Sequence, residues 1–343
     1  MAAALGLAVL GCGGAGPRQD PLAAEVVRSS AFLQGKPADS GLWAQVRQAN
    51  QPVLARARED LDSGRRQLAL QRLANVRVNL ALASYLSERP AAQRRDQGGF
   101  DAEWARMGGV LRDDLAAPSP AAFDGVPAAA RALGEAALPQ VRAYYQASLE
   151  QGHNTTLSEG LYYLATAQAQ RDLAAFCKTI FAASPRRPPP LRSLRTELDD
   201  LEADVVKAYR PPASIERHGE LILTSSTIKE ARELDAAGLR YGALLRYLQA
   251  AQLSASLRPA RPALAADALS RQLHDFAARL SAGDVDHSLG QLFLELAQAE
   301  PASAQAIAGD VLPRYFAALG PARPETPKPA PLVTVTLVRW PYT

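Results

Sequence analysis

A chain of 343 residues with 48% apolar content can bury one large core or two modest ones. Its formal net charge of +3 is small for that length and argues against a dedicated nucleic-acid binder, which concentrates a basic face. No stretch reaches the roughly 18 apolar residues that a membrane-spanning helix needs, so a water-soluble body is expected.

The chain opens with a short apolar run, Leu5 to Leu10, that ends in Gly11-Cys12. Val9-Leu10-Gly11-Cys12 resembles the lipobox of bacterial lipoprotein signal peptides: an aliphatic residue, a tolerant position, a small residue, then cysteine. That resemblance implies removal of residues 1–11 as a signal peptide, lipidation of Cys12, and a tether over residues 12–20. With about 0.8 kcal/mol for each buried lipid methylene, several acyl chains on one residue make a durable anchor. The basic residue that opens such signals is missing from Met1-Ala2-Ala3-Ala4. Gly13, rather than Asp, after the cysteine resembles the sorting pattern of the outer membrane. The expected address is therefore the periplasmic side of that membrane, with an envelope protein as partner. The same residues spell Gly11-x-Gly13-x-x-Gly16, the dinucleotide-binding fingerprint, which needs a second strand ending in an acid about 20 positions on. Phe32 to Pro37, ahead of Asp39, has no strand-like alternation, so no nucleotide cofactor is expected. Of the two cysteines, lipidation of Cys12 leaves Cys177 alone, and no internal disulfide forms.

Beyond residue 20 apolar residues recur every three or four positions, and the breaks fall at Gly, Pro or capping residues. Leu42, Val46, Val53, Leu54 and Leu61 form one stripe; after Gly64 the next runs through Leu68, Leu73, Val76, Leu80 and Leu86. A short helix around Trp104, Met107 and Leu111 is predicted to start from Asp101 as its cap. Pro120 and Pro127 open a segment to about Glu150, with a kink at Pro139. Gly152-His153-Asn154-Thr155 reads as a turn, and Thr156 and Glu159 have capping-box spacing for a helix carrying Leu157, Leu161, Leu164, Leu173, Phe176 and Ile180. The resulting hairpin would bring Tyr144 and Tyr145 to Tyr162 and Tyr163, where aromatic packing adds about 0.5–1.5 kcal/mol per pair.

Ser184 to Pro190 cannot continue a helix, because successive prolines remove amide donors and favour polyproline II. It is predicted to be a solvated Pro/Arg-rich linker over 184–190, dividing a helical region at 21–183 from another at 191–320. Leu191, Leu194, Leu198, Leu201, Val205 and Tyr209 step by three and four, a seam too short for a partner zipper and suited to an intramolecular helix pair. The pattern stays helical from Ser214 to about Leu257, interrupted near Gly238, and three further units follow over Pro262–Leu280, Asp286–Ala299 and Ser303–Leu319. Each unit needs neighbours to cover its stripe. The expected fold is all-α, a multi-helix bundle or stacked helical hairpins, with a short β-strand-like C-terminal tail. Gly160-Leu161-x-Tyr163 recurs as Gly238-Leu239-x-Tyr241, and Leu239-x-x-Gly242-x-x-Leu245 faintly resembles the first helix of a tetratricopeptide unit; the period of about 34 residues that such arrays keep is missing. Residues 321–343 form a proline-rich linker and tail, in which Leu332 to Val338 is a β-branched run of strand length. Such a strand would pair with Leu221 to Thr224, lie in a groove of its own body, or join a partner's sheet.

Catalytic and metal-binding signatures are missing. The four histidines have no ligand spacing; His287 beside Asp284 and Asp286 reads as a helix cap rather than a cation site. His218 between Glu216 and Glu220 reads as a solvated face, and His153 has no acid in its turn. Cys177 shares a helical face with Leu173 and Phe181, where a thiol is inert. Glu197, Asp199, Asp200, Glu202 and Asp204 spread around a helix and read as a solvated face. Binding rather than turnover is therefore expected, without cofactor or metal: an envelope scaffold or protein-binding module tethered through Cys12. The candidate binding residues are Tyr144, Tyr145, Tyr162, Tyr163, Trp340 and Tyr342. The alternative is a periplasmic carrier enclosing an apolar or aromatic small molecule near the tyrosine hairpin.

Overall fold

A computed structural model describes residues 20–37, 41–89, 95–115, 120–181, 184, 186–211, 215–258 and 264–321. Within them the apolar spacing becomes helix: α1 Pro21–Gln34, α2 Gly41–Asp62, α3 Arg66–Ser87, α4 Gln97–Val110, the single turn α5 Arg112–Leu115, α6 Ala128–Asn154, α7 Leu157–Thr179, α8 Arg195–Ala208, α9 His218–Ala236, α10 Arg240–Leu257, α11 Ala266–Ser281, α12 Ser288–Ala299, α13 Pro301–Ala306 and α14 Leu312–Leu319. The fold is all-α and multi-helical. Cys12 and its lipobox, and the tail with Trp340 and Tyr342, lie outside the described residues.

Local chemistry sets the helix ends. Gly64 at φ 78° and Gly238 at φ 76° take the left-handed conformation that lets α2 turn into α3 and α9 into α10. Thr156 caps α7, its hydroxyl accepting from the Glu159 amide at 3.1 Å. The cap of α4 is Asp96, which accepts from Gly98 and Gly99 at 3.3 and 3.1 Å, and not Asp101, which lies one turn inside the helix. α6 also runs to Asn154, past the turn expected at Gly152. The reason is packing: Gly152 and Gly160 let α6 and α7 approach closely, and Phe100 seals the crossing. A Cβ on Gly160 would meet the Gly152 Cα at 2.6 Å and the Phe100 ring at the same distance. Gly160→Ala is therefore expected to cost about 1–3 kcal/mol, the range for overpacking a filled core, in urea unfolding followed by circular dichroism.

Three helical hairpins, α2/α3, α6/α7 and α9/α10, provide the frame. α3 packs on α7, α6 on α10, and α12 lies against both α3 and α6. One apolar core joins Leu68, Ala128 and Ala132 to Leu198, Leu244 and Tyr315, so residues from both sides of 184–190 share it. The described residues of that stretch are largely exposed, as a solvated linker would be, yet its backbone is held by neighbouring elements. The Arg187 amide donates to the Asp284 carbonyl at 2.9 Å, the Asp286 amide donates back to Arg187 at 2.7 Å, and the Tyr241 hydroxyl donates to the Pro189 carbonyl at 2.7 Å. The proline run lost its helix but kept its carbonyls, and these are what the neighbouring elements bind. Leu221 to Thr224, offered as a strand partner for the tail, is helical within α9. There Thr224 is buried and its hydroxyl donates to the Glu220 carbonyl at 2.7 Å, so the backbone is already engaged in the helix.

Buried acids from elsewhere in the chain, three on helices and Asp286 just ahead of α12, cap four helix starts that lack a side-chain cap of their own. Glu295 of α12 accepts from the Leu68 amide of α3 at 2.8 Å, and Asp286 accepts from Ala128 of α6 at 2.9 Å. Asp235 of α9 accepts from Leu194, just before α8, at 3.0 Å, while Glu135 of α6 accepts from Tyr241 and Gly242 of α10 at 2.9 and 3.0 Å. Each acid satisfies free amides at the positive end of a helix dipole while binding one element to another.

Candidate functional site

The tyrosine hairpin assembles only in part. Tyr144 and Tyr163 come within 5.7 Å between ring centroids, in the tilted arrangement of packed aromatics. Tyr145, one residue on and so facing elsewhere, stacks on Trp104 at 4.9 Å and 14°. Tyr162 lies 6.3 Å from Tyr163 and is 49% exposed. The four rings therefore do not form one stacking surface, because adjacent helical residues point about 100° apart.

Beside Tyr144 the surface dips into a groove that the sequence did not reveal. Its centre is a cavity of about 370 Å³ between α3, α6, α7 and α10, whose rim carries six amide side chains: Gln71, Asn75, Asn79, Gln140, Gln170 and Gln249. Gln140 also lines a dip of about 150 Å³ with Tyr144 and Glu230, and Arg246 and Gln249 continue into a cleft of about 1030 Å³ towards α9, α11 and α13. Glu230 holds this junction: Gln140 donates to it at 3.3 Å and the Arg246 Nε lies 3.0 Å away. Burial, with the charge of Glu230, pushes the Tyr144 hydroxyl above the usual tyrosine range. Asn79 is held from behind by Asn50, a buried residue of α2, at 3.0 Å. Gln71, Asn75 and Asn79 stand four residues apart on α3, hence on one face. Gln67, one step earlier, has a buried side-chain oxygen without a hydrogen bond.

Most of the other residues singled out in the sequence have partners within the fold. The His287 Nδ1 lies 2.9 Å from the Tyr315 hydroxyl, and burial pushes its ring below the ordinary histidine range. Its neighbour Asp286 caps α6 while Asp284 is exposed near Arg187. Among the described residues no three His, Cys, Asp or Glu side chains gather as a metal site. His153 does meet an acid, Asp101 at 2.9 Å, from α4 rather than from its own turn. His218 Nδ1 meets the Tyr209 hydroxyl at 3.1 Å. Cys177 is fully buried, and that burial pushes its thiol up to about 12, so almost no thiolate exists at neutral pH. Four of the five acidic residues of α8 do keep a solvated or half-solvated face, and only Glu197 is buried. Glu197 is buried against Arg192 at 2.5 Å, Arg232 donates to Asp199 and Glu202 at 2.7 Å each, and Arg314 donates to Asp204 at 3.1 Å. Arginines from elements outside α8 neutralise them, an arrangement that chain spacing does not encode.

Comparison with protein-family models, with curated protein sequences and with solved structures finds no match for this chain.

Proposed function

We propose that the chain is a lipid-tethered binding module of the cell envelope that seats an extended segment of another envelope protein in the amide-lined groove. The observation that carries this is the ladder on α3. Residues four apart on a helix rise about 6.0 Å, close to the roughly 6.6–6.8 Å over which an extended chain repeats its peptide groups. Carboxamides both donate and accept, so the same side chains suit backbone N–H and C=O whatever the sequence of the bound segment. The groove lies open over filled cores, which favours a docking surface over an enclosed carrier cavity. Among the described residues no helix is long and apolar enough to cross a membrane, and in this reading the lipobox-like Cys12 supplies the attachment.

Photo-crosslinking in bacterial cells tests both halves. With p-benzoylphenylalanine at Asn75, adducts to a protein are expected; the same group at Arg271 on α11 should give none. Gln71→Ala with Gln170→Ala should abolish the adduct at unchanged thermal stability, and Cys12→Ser should move the chain out of the membrane fraction. Equal labelling from positions 75 and 271 would remove the groove from the proposal. An unacylated residue 12 in the mature protein would remove the tether.

A further inference from the structure

On another side of the molecule, α1, α3, α4 and α7 enclose a half-open cleft of about 580 Å³, within the range of small-molecule sites. Four arginines line it: Arg28, Arg77, Arg89 and Arg106. Two buried glutamates organise them. Glu25, at 4% exposure, lies 2.6 Å from Arg28 and 2.5 Å from Arg77; Glu103, at 5%, receives Arg89 at 2.9 Å, Arg106 at 2.7 Å and the Tyr85 hydroxyl at 2.5 Å. Aromatic rings steady two of the guanidinium groups, Phe176 beneath Arg77 at 4.7 Å and Tyr85 beneath Arg89 at 4.1 Å.

A guanidinium has five N–H donors, and the glutamates engage only one or two on each arginine. The Arg77 Nε is buried and has no hydrogen-bond partner, the kind of orphaned donor that a bound acceptor would satisfy. Glu88 and Asp172 also line the cleft, so its charge is not uniform. Asp172 is masked in part: burial raises its carboxyl towards the neutral form and Gln168 donates to it at 2.8 Å. Apolar side chains accompany the arginines at one-turn spacing on facing walls. Phe32 follows Arg28 on α1 and Val110 follows Arg106 on α4; both are 39% exposed, with Leu80 and Met107 between them. Phe32 also meets Trp43 edge-on at 5.9 Å and Lys36 at 4.3 Å, so what an apolar ligand would cover is the exposed part of the two side chains.

We infer that this cleft binds an anionic amphiphile, with a phosphate headgroup held by Arg28, Arg77, Arg89 and Arg106 and an alkyl chain along Phe32, Leu80, Met107 and Val110. Planar, forked guanidinium groups match phosphate oxygens, and the apolar path favours a ligand with an alkyl chain to cover it. The inference is independent of the groove and of the tether.

Calorimetric titration of the full chain with monomeric dodecyl phosphate tests it, with inorganic phosphate and dodecyl maltoside as the headgroup and tail controls. One-to-one binding of dodecyl phosphate is expected, at least tenfold tighter than either control. Arg28→Gln, which alters a side chain two-thirds exposed, and Val110→Asp should each weaken it several-fold at unchanged melting temperature; Arg271→Gln on α11 should not. Inorganic phosphate binding as tightly as dodecyl phosphate would leave only an anion site and overturn the inference. So would dodecyl maltoside binding as tightly, or affinity for dodecyl phosphate that ignores both Arg28 and Val110.

Discussion

Glu135→Ala is expected to lower the unfolding free energy by about 3–5 kcal/mol, the cost of removing one partner from a buried ionic pair, while Glu135→Gln costs less than half of that. Glu135 is wholly buried on α6, where one carboxyl oxygen receives the Tyr241 and Gly242 amides of α10 and the other receives the Arg131 Nε at 2.7 Å. Alanine orphans two amides at the start of α10 and takes the nearest carboxylate from Arg131, a side chain 13% exposed that keeps the Pro120 carbonyl and the more distant Asp124. Glutamine keeps an acceptor in place. To reach water α10 would have to lift off α6, on whose backbone Gly242 rests: a Cβ there would lie 2.9 Å from the Ala136 nitrogen. Denaturant unfolding followed at 222 nm gives the comparison. An alanine variant within 1 kcal/mol of the parent would show that the cap is dispensable.

That cap also marks where sequence reasoning stops. Periodicity finds α2, α3, α7 and α10 because burial of a stripe depends on residues within a few turns. Gly64, Gly238 and Thr156 are legible for the same reason: a left-handed turn or an Ncap is decided by its own residue and the next three. The start of α10 carries no such mark. Leu239 offers no cap, and the acid that replaces it lies on α6, more than a hundred residues earlier. The Pro-rich stretch is legible to the same extent: its loss of helix is local, while its bonds to Asp284, Asp286 and Tyr241 come from distant elements.

The candidate site divides in the same way. Tyr144 and Tyr163 could be paired from their distances to the hairpin turn, but Tyr145 went to Trp104 of α4, a helix the spacing could not position. The groove's one sequence signal is the four-residue step Gln67, Gln71, Asn75, Asn79 along one face of α3. Such a face normally means solvent. It acquires meaning only when Gln140, Gln170 and Gln249 arrive from three other helices.

Glu295 is expected to give the protein a pH-dependent stability that Glu295→Gln removes. Its carboxyl is 3% exposed on α12, receives the Leu68 amide at 2.8 Å, and is pushed by burial up to about 7 despite the amides that favour its charge. In the unfolded chain glutamate titrates near 4.3, so the folded state holds the proton to higher pH. The stabilisation is complete below the unfolded value and is lost as pH rises through about 7, a total of about 4 kcal/mol at 1.36 kcal/mol per pH unit. Glutamine keeps the acceptor oxygen over the start of α3 and never ionises. The difference in unfolding free energy between variant and parent should therefore shift in the variant's favour by about 3 kcal/mol from pH 4 to pH 8, with most of the change between pH 4.5 and 7. Taking that difference cancels the titration of Glu135, Asp172 and His287, which is common to both chains. A difference that stays flat across the range would mean that Glu295 titrates alike in the folded and unfolded states, and the buried carboxyl would then have to be hydrated.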